Sequence, residues 1–173
     1  MNNFLRQLIS IKFEDKKDIY TGILIDYSED WILLRNNPAD FVLDGFVIIR
    51  NKKIKSIFRE PEYEFVEKVI RLKKIKINAE EIVPLKDLFS ILTFLTSRYS
   101  LFQIATKSDK AVYIGRLKEF NDEELRIDFL STYGKWDGEM DFKPNKIRII
   151  EFDTDYLNSL KLVLDLNEWN LLM

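Results

Sequence analysis

Cysteine and histidine are both absent from the 173-residue chain. Without cysteine there is no disulfide, no thiol nucleophile and no thiolate metal site. Without histidine there is no imidazole base, no Ser-His-Asp triad and no side chain that titrates near neutrality unperturbed. Any metal would have to be a hard ion held by carboxylates alone, and no calcium-loop spacing is present to hold one. With only five glycines and four prolines, the chain also lacks a glycine-rich phosphate loop and a nucleophile elbow. Long hydrophobic runs are missing too. The most apolar window, residues 82–101, contains Lys86, Asp87 and Arg98. Its uncharged stretch, residues 88–97, falls short of the ~20 residues that a membrane-spanning helix needs. The first residues, MNNFLRQLISIKFEDK, have neither the basic start nor the cleavage site of a signal peptide. These absences predict a cytoplasmic, non-enzymatic protein with no catalytic residues, no metal, no cofactor and no membrane association.

What is present suffices for a folded core, at 46% hydrophobic and 32% charged residues. The 27 basic and 29 acidic residues leave a net charge of −2, so non-specific nucleic-acid binding is not the expected main activity and no DNA partner is expected. The charge is unevenly divided. Residues 1–76 hold 15 basic and 12 acidic residues, and residues 77–173 hold 12 basic and 17 acidic ones.

The sequence repeats itself at an offset of 93. Tyr20, Gly22 and Leu24 fall on Tyr113, Gly115 and Leu117, and Asp44-Gly45 falls on Asp137-Gly138. Lys53, Ile54, Ile57 and Tyr63 fall on Lys146, Ile147, Ile150 and Tyr156. That makes 9 identities in 45 aligned positions, against roughly 3 expected from average composition. A gapless repeat of this kind outranks local propensity in assigning a fold. Each copy reads as five short strands followed by a helix. The strands are expected at 8–13, 18–27, 31–36, 45–50 and 53–59, and again at 101–106, 111–120, 124–129, 138–143 and 146–152. Pro61 suits a first helical position, and Glu60 and Glu62 align with Asp153 and Asp155 as acids at a helix start. Asp122-Glu123-Glu124 reads as a solvated turn, and Trp136 and Trp169 read as packing residues.

These features resemble the Sm-like (LSm) family of small five-stranded barrels. Gly22, Leu24 and Tyr27 are similar to the start of its first signature, and the segment from Ile48 through Ile57 is similar to its second. The second signature's Arg-Gly stands here as Arg50-Asn51, and in the second copy as Lys143-Pro144. The base-binding Asp and Asn positions fall on Ser28 and Ile32, then on Asn121 and Leu125. Among the family's RNA-contacting positions only Arg50 carries over. The resemblance implies a mainly β fold with helices, in which two tandem Sm-like barrels, each followed by a helix, are joined by an apolar helix. The expected boundaries are 1–76, 77–100 for the connector (helical from about Pro84 to Tyr99) and 101–173. The resemblance also implies association through strand edges.

The two copies differ at their outward positions. Ile23, Ile25, Trp31, Leu33, Phe46 and Ile48 in the first correspond to Arg116, Lys118, Glu124, Arg126, Glu139 and Asp141 in the second. An apolar face of that size is either covered from within or is an interface. The connecting helix, apolar nearly all round, is one candidate cover. The other is a protein partner or a second copy. The expected function is therefore protein–protein interaction or scaffolding, through these six residues if they are open and through strand edges if they are not. The alternative is single-stranded RNA binding through Arg50, Lys52, Lys53 and Lys55. For the face to act as one surface, its six side chains must lie together.

Overall fold

The computed structural model describes residues 1–108 and 111–171, with side chains described as far as residue 166. The chain is mainly β, with ten strands and three α-helices. The first five strands are β1 (Leu8–Phe13), β2 (Ile19–Tyr27), β3 (Trp31–Asn36), β4 (Phe46–Arg50) and β5 (Ile54–Phe58). The helices α1 (Tyr63–Leu72) and α2 (Leu88–Tyr99) follow. Strands β6 (Phe102–Ala105), β7 (Val112–Phe120), β8 (Leu125–Leu130), β9 (Trp136–Phe142) and β10 (Ile149–Phe152) come next, and then helix α3 (Asp155–Leu171).

All ten strands belong to one antiparallel sheet, in the order β5-β1-β2-β3-β4-β10-β6-β7-β8-β9. This departs from two separate closed barrels, because β4 pairs with β10 and makes the halves continuous. The half-to-half correspondence is nevertheless visible pair by pair. Ile9↔Gly22 recurs as Phe102↔Gly115, Leu34↔Val47 as Ile127↔Met140, and Ile11↔Ile57 as Ile104↔Ile150. Even the irregularity in the second strand recurs. The pairing skips Ile25 in β2 and its counterpart Lys118 in β7. An offset read from nine identities is thus kept by the backbone hydrogen bonding.

The repeated glycines show why it is kept. A Cβ on Gly22 would lie 2.5 Å from the Arg35 carbonyl oxygen, and one on Gly115 would lie 2.1 Å from that of Asp128. Both glycines let the neighbouring strand approach closely at the same point of the bend.

Two local expectations are corrected. The connecting helix begins at Leu88 rather than Pro84, because the Asp87 carboxylate accepts the Ser90 amide at 2.8 Å and caps the helix there. Residues 77–87 are irregular. Helix α1 begins at Tyr63 with Glu62 as its cap residue, so Pro61 precedes the helix instead of opening it.

The core has two large parts on opposite faces of the sheet. Ile9, Ile11, Leu24, Ile32, Leu34, Val47 and Ile49 fill one. The other gathers Leu85, Leu88, Ile91, Leu92 and Leu95 around α2 with Phe46, Ile48, Phe102, Ile104, Ile127, Ile150 and Phe152. Replacing Gly22 or Gly115 by alanine is expected to destabilise the fold by about 1–3 kcal/mol through overpacking. Equilibrium urea unfolding measures it, and an unchanged midpoint would show that the close strand approach is dispensable.

Candidate interaction surfaces

The six apolar outward residues of the first copy do not form an open face. Trp31, Leu33, Phe46 and Ile48 are at most 2% exposed and lie in the cluster around α2. Ile23, equally buried, belongs to a different cluster with Leu8 and Ile70 of α1. Ile25, partly buried, packs against both clusters. The connecting helix and α1 therefore cover these side chains from within, and in this chain they are core.

The six charged counterparts solve the same geometric problem differently. Arg126 reaches Asp141 at 2.7 Å and Glu119 at 3.0 Å, with Glu124 and Glu139 within 3.7 Å. Lys118 bridges Glu139 and Asp128, and Arg116 also pairs with Asp128. Opposite charges across neighbouring strands favour this pairing, with solvent screening keeping each contribution small. The Leu33↔Ile48 pair of the first copy is the Arg126↔Asp141 pair of the second.

The basic strand divides as well. Arg50 is consumed internally. Its guanidinium lies 4.5 Å from the Trp31 ring centroid and donates to the Pro144 carbonyl at 3.0 Å, and its Nε is buried. Lys52, Lys53 and Lys55 remain exposed at the β4–β5 turn and on β5. Lys53 keeps only a loose, solvent-exposed pairing with Glu14 at 3.8 Å. The structure thus separates Arg50 from the three lysines it was grouped with.

The seam between the halves is more elaborate than its backbone pairing. Phe46 and Phe152 stack across it, with centroids 5.0 Å apart and rings 12° from parallel. Asp44 accepts the Asp155 amide at 2.7 Å, so a first-copy side chain caps the helix start of the second. Gly45, at φ +57, leaves room for the Phe152 carbonyl and the Thr154 amide, each 2.6 Å from where its Cβ would be. On the far side Arg148, 4% exposed, donates to Asp15 at 3.0 Å and to the Lys52 carbonyl at 2.5 Å. The Arg148 hydrogen bond holds the Asp15 carboxyl below its ordinary range. In the sequence Asp44-Gly45 stands only as a matched element of the repeat. Its exact recurrence as Asp137-Gly138 was the available signal of a joint.

Two strands have a neighbour on one side only, β5 and β9. These are the equivalents of the seam strands β10 and β4. Unlike Gly45, Gly138 (φ +83) has nothing within 4 Å of where its Cβ would be. Strand β9 carries Asp137, Glu139 and Asp141, and the β5 end carries Lys52, Lys53, Lys55 and Arg59.

Comparison with protein-family models, curated proteins and solved structures finds no match for this chain.

Two measurements test this reading. Leu33→Asp places an unpaired charge in the core and is expected to cost more than about 4 kcal/mol. The matched change Arg126→Leu removes only solvent-screened surface pairs and is expected to cost much less. Denaturant titration of both variants compares them, and equal losses would contradict the assignment of core and surface. The second concerns Glu151, whose pKa is raised, chiefly by desolvation in the seam strand. A raised folded-state pKa means that the proton is held more tightly in the fold. The cost is therefore absent below the unfolded pKa and grows as pH rises through the folded one. Glu151→Gln is expected to raise the melting temperature at pH 7 and to leave it unchanged near pH 3.5, as followed by calorimetry.

Proposed function

We propose that this chain is a non-enzymatic scaffold of two Sm-like units that acts through protein–protein interaction at its two free sheet edges, and that its partner is a second copy of itself. The observation that carries this reading is the match between the open ends and the occupied joint. The internal joint sets β4 against β10, with Asp44 on a helix start and Gly45 under the following chain. Moving each element by 93 gives β9 against β5 of the next copy, with Asp137 aimed at the Glu62 amide and Gly138 under the strand end. In this register Glu139 faces Arg59, the place that Phe46 and Phe152 hold in the seam, and pairing them would exchange the contacts of Glu139 with Lys118 and Arg126 and of Arg59 with Glu67. Met140 faces Phe58, an apolar pair where the seam sets Val47 against Glu151, and Asp141 faces Ile57 where the seam sets Ile48 against Ile150. Lys143 falls beside Lys55, and the internal joint carries a like pair at this same point, Arg50 and Arg148. The acidic β9 edge and the basic β5 end also attract before contact. The joint is head-to-tail, so it generates rings or open filaments according to its rotation angle.

A competing reading, single-stranded RNA along Lys52, Lys53 and Lys55, uses the same basic end. Gly138→Asn separates the two. Asparagine tolerates positive φ, so the fold survives, but its side chain fills the space that a docked copy requires. Sedimentation of the wild type at low salt is expected to show concentration-dependent assembly that weakens as salt rises, and the variant is expected to stay single. Wild-type protein that remains monomeric at 100 µM sinks the self-association reading. Salt-sensitive binding of a short oligouridine, unaltered by Gly138→Asn, would favour RNA instead.

A further inference from the structure

Beside the seam lies a cavity of about 330 Å³ whose walls come from three parts of the chain. Arg35 is supplied by β3, Tyr99 by the end of α2, and Asp153 and Lys161 by the second half. Lys76 and Arg98 stand at its rim. The volume falls at the small end of the ~300–1,000 Å³ typical of small-molecule sites.

The charges inside are not matched. Lys76 and Arg98 are spent on Glu80 and Glu81 in solvent-exposed pairs. Arg35 and Lys161 form no ion pair among the described residues, although both are partly buried. Arg35 lies over the Phe46 ring at 4.6 Å and donates through Nη1 to the Gly45 carbonyl at 2.8 Å, while its Nε has no partner. Lys161 makes no hydrogen bond to a described residue, and loss of water lowers its pKa. Asp153 is the one acid whose charge acts on both, and it accepts a hydrogen bond from the Asn158 amide at 3.1 Å. Asp44 adds to its effect on Arg35 and Asp165 to its effect on Lys161, yet none of these acids forms an ion pair with either cation, so the partly desolvated Lys161 ammonium keeps its donors unused. Burying such charge without a partner is costly, and an anion in the cavity removes the cost.

We propose that this cavity binds the oxyanion group of a small molecule, a phosphate or a carboxylate, with Lys161 and Arg35 as its principal ligands. At an offset of 93, Arg35, Phe46 and Asp153 correspond to Asp128, Glu139 and Glu60, while Lys161 corresponds to Lys68, and these counterparts belong to the two unjoined ends of the sheet. The cavity's walls belong to both halves, and an occupant therefore ties them together and stabilises the folded chain by mass action.

The test uses the full chain. Amide chemical shifts are followed while inorganic phosphate, and separately acetate, is added against chloride at constant ionic strength. Saturable shifts centred on Gly45, Tyr99 and Lys161 are expected, with a rise in melting temperature over the same concentrations. A response to phosphate alone assigns a phosphate ligand, and an equal response to both assigns the carboxylate-accepting form. Lys161→Met, which keeps the aliphatic stem, is expected to weaken binding at least tenfold. Lys143→Gln, outside the cavity, is expected to leave it unchanged. Shifts no larger than those in chloride, shifts scattered over the surface lysines, or equal affinity in Lys161→Met would each overturn the proposal. If Lys161→Met fails to fold, the wild-type shift map decides alone.

Discussion

The antiparallel joint between β4 and β10 is the contact on which the rest of the molecule depends. It turns two five-stranded halves into one sheet and brings Phe46 and Ile48 onto the same face as Ile150 and Phe152. That combined face is what α2 covers. Without the joint, α2 would have half a face to bury against and would leave Leu88, Ile91, Leu92 and Leu95 in part to water. Each such side chain is worth about 1.5–3 kcal/mol when fully buried. Seam and helix therefore support one another, and neither half is a self-sufficient barrel in this chain.

The two matched halves meet the same geometric problem in opposite ways. Matched strands present matched side chains, but only the first half's outer positions lie under a helix. Apolar residues there gain burial, as Trp31 and Leu33 do at 2% exposure. The same positions in the second half face solvent, and a lattice of cross-strand ion pairs around Arg126 occupies them. Their single stability contributions are small. Their larger effect is to keep an otherwise apolar sheet face soluble.

Much of this was legible before any coordinates. The 93-residue offset, the five strands per copy and the charge-for-apolar exchange all follow from periodic patterns, and side-chain period two fixes which residues share a face. The offset holds through the strand pairing because Gly22 and Gly115 have a steric reason to recur. The continuity of the sheet was not legible, because nothing in β4 or β10 alone distinguishes a strand that pairs within its own half from one that pairs across. Arg50 looked like a free binding group for a related reason. Its partners, Trp31 and the Pro144 carbonyl, lie far along the chain and meet it only once the seam has formed. The cavity beside the seam is illegible for the same reason, since Arg35 and Phe46 lie more than a hundred residues from Asp153 and Lys161.

Exposed edge strands invite indiscriminate pairing, and proteins commonly protect them with charge. Both free edges here are charged, but with opposite signs, and that difference matters. Lysines alone at both ends would repel every copy and leave a permanent monomer. In the proposed self-pairing, acids on β9 and bases at β5 would reject like edges and accept unlike ones, so the same charges that discourage random aggregation would select one orientation. The internal seam reaches that orientation through stacked phenylalanines and the Arg148–Asp15 ion pair, with covalent linkage already keeping β4 and β10 at high effective concentration. Between separate molecules that advantage is gone. Attraction between the acidic β9 edge and the basic β5 end, which acts at longer range and weakens with salt, would take its place in the proposed pairing of separate copies.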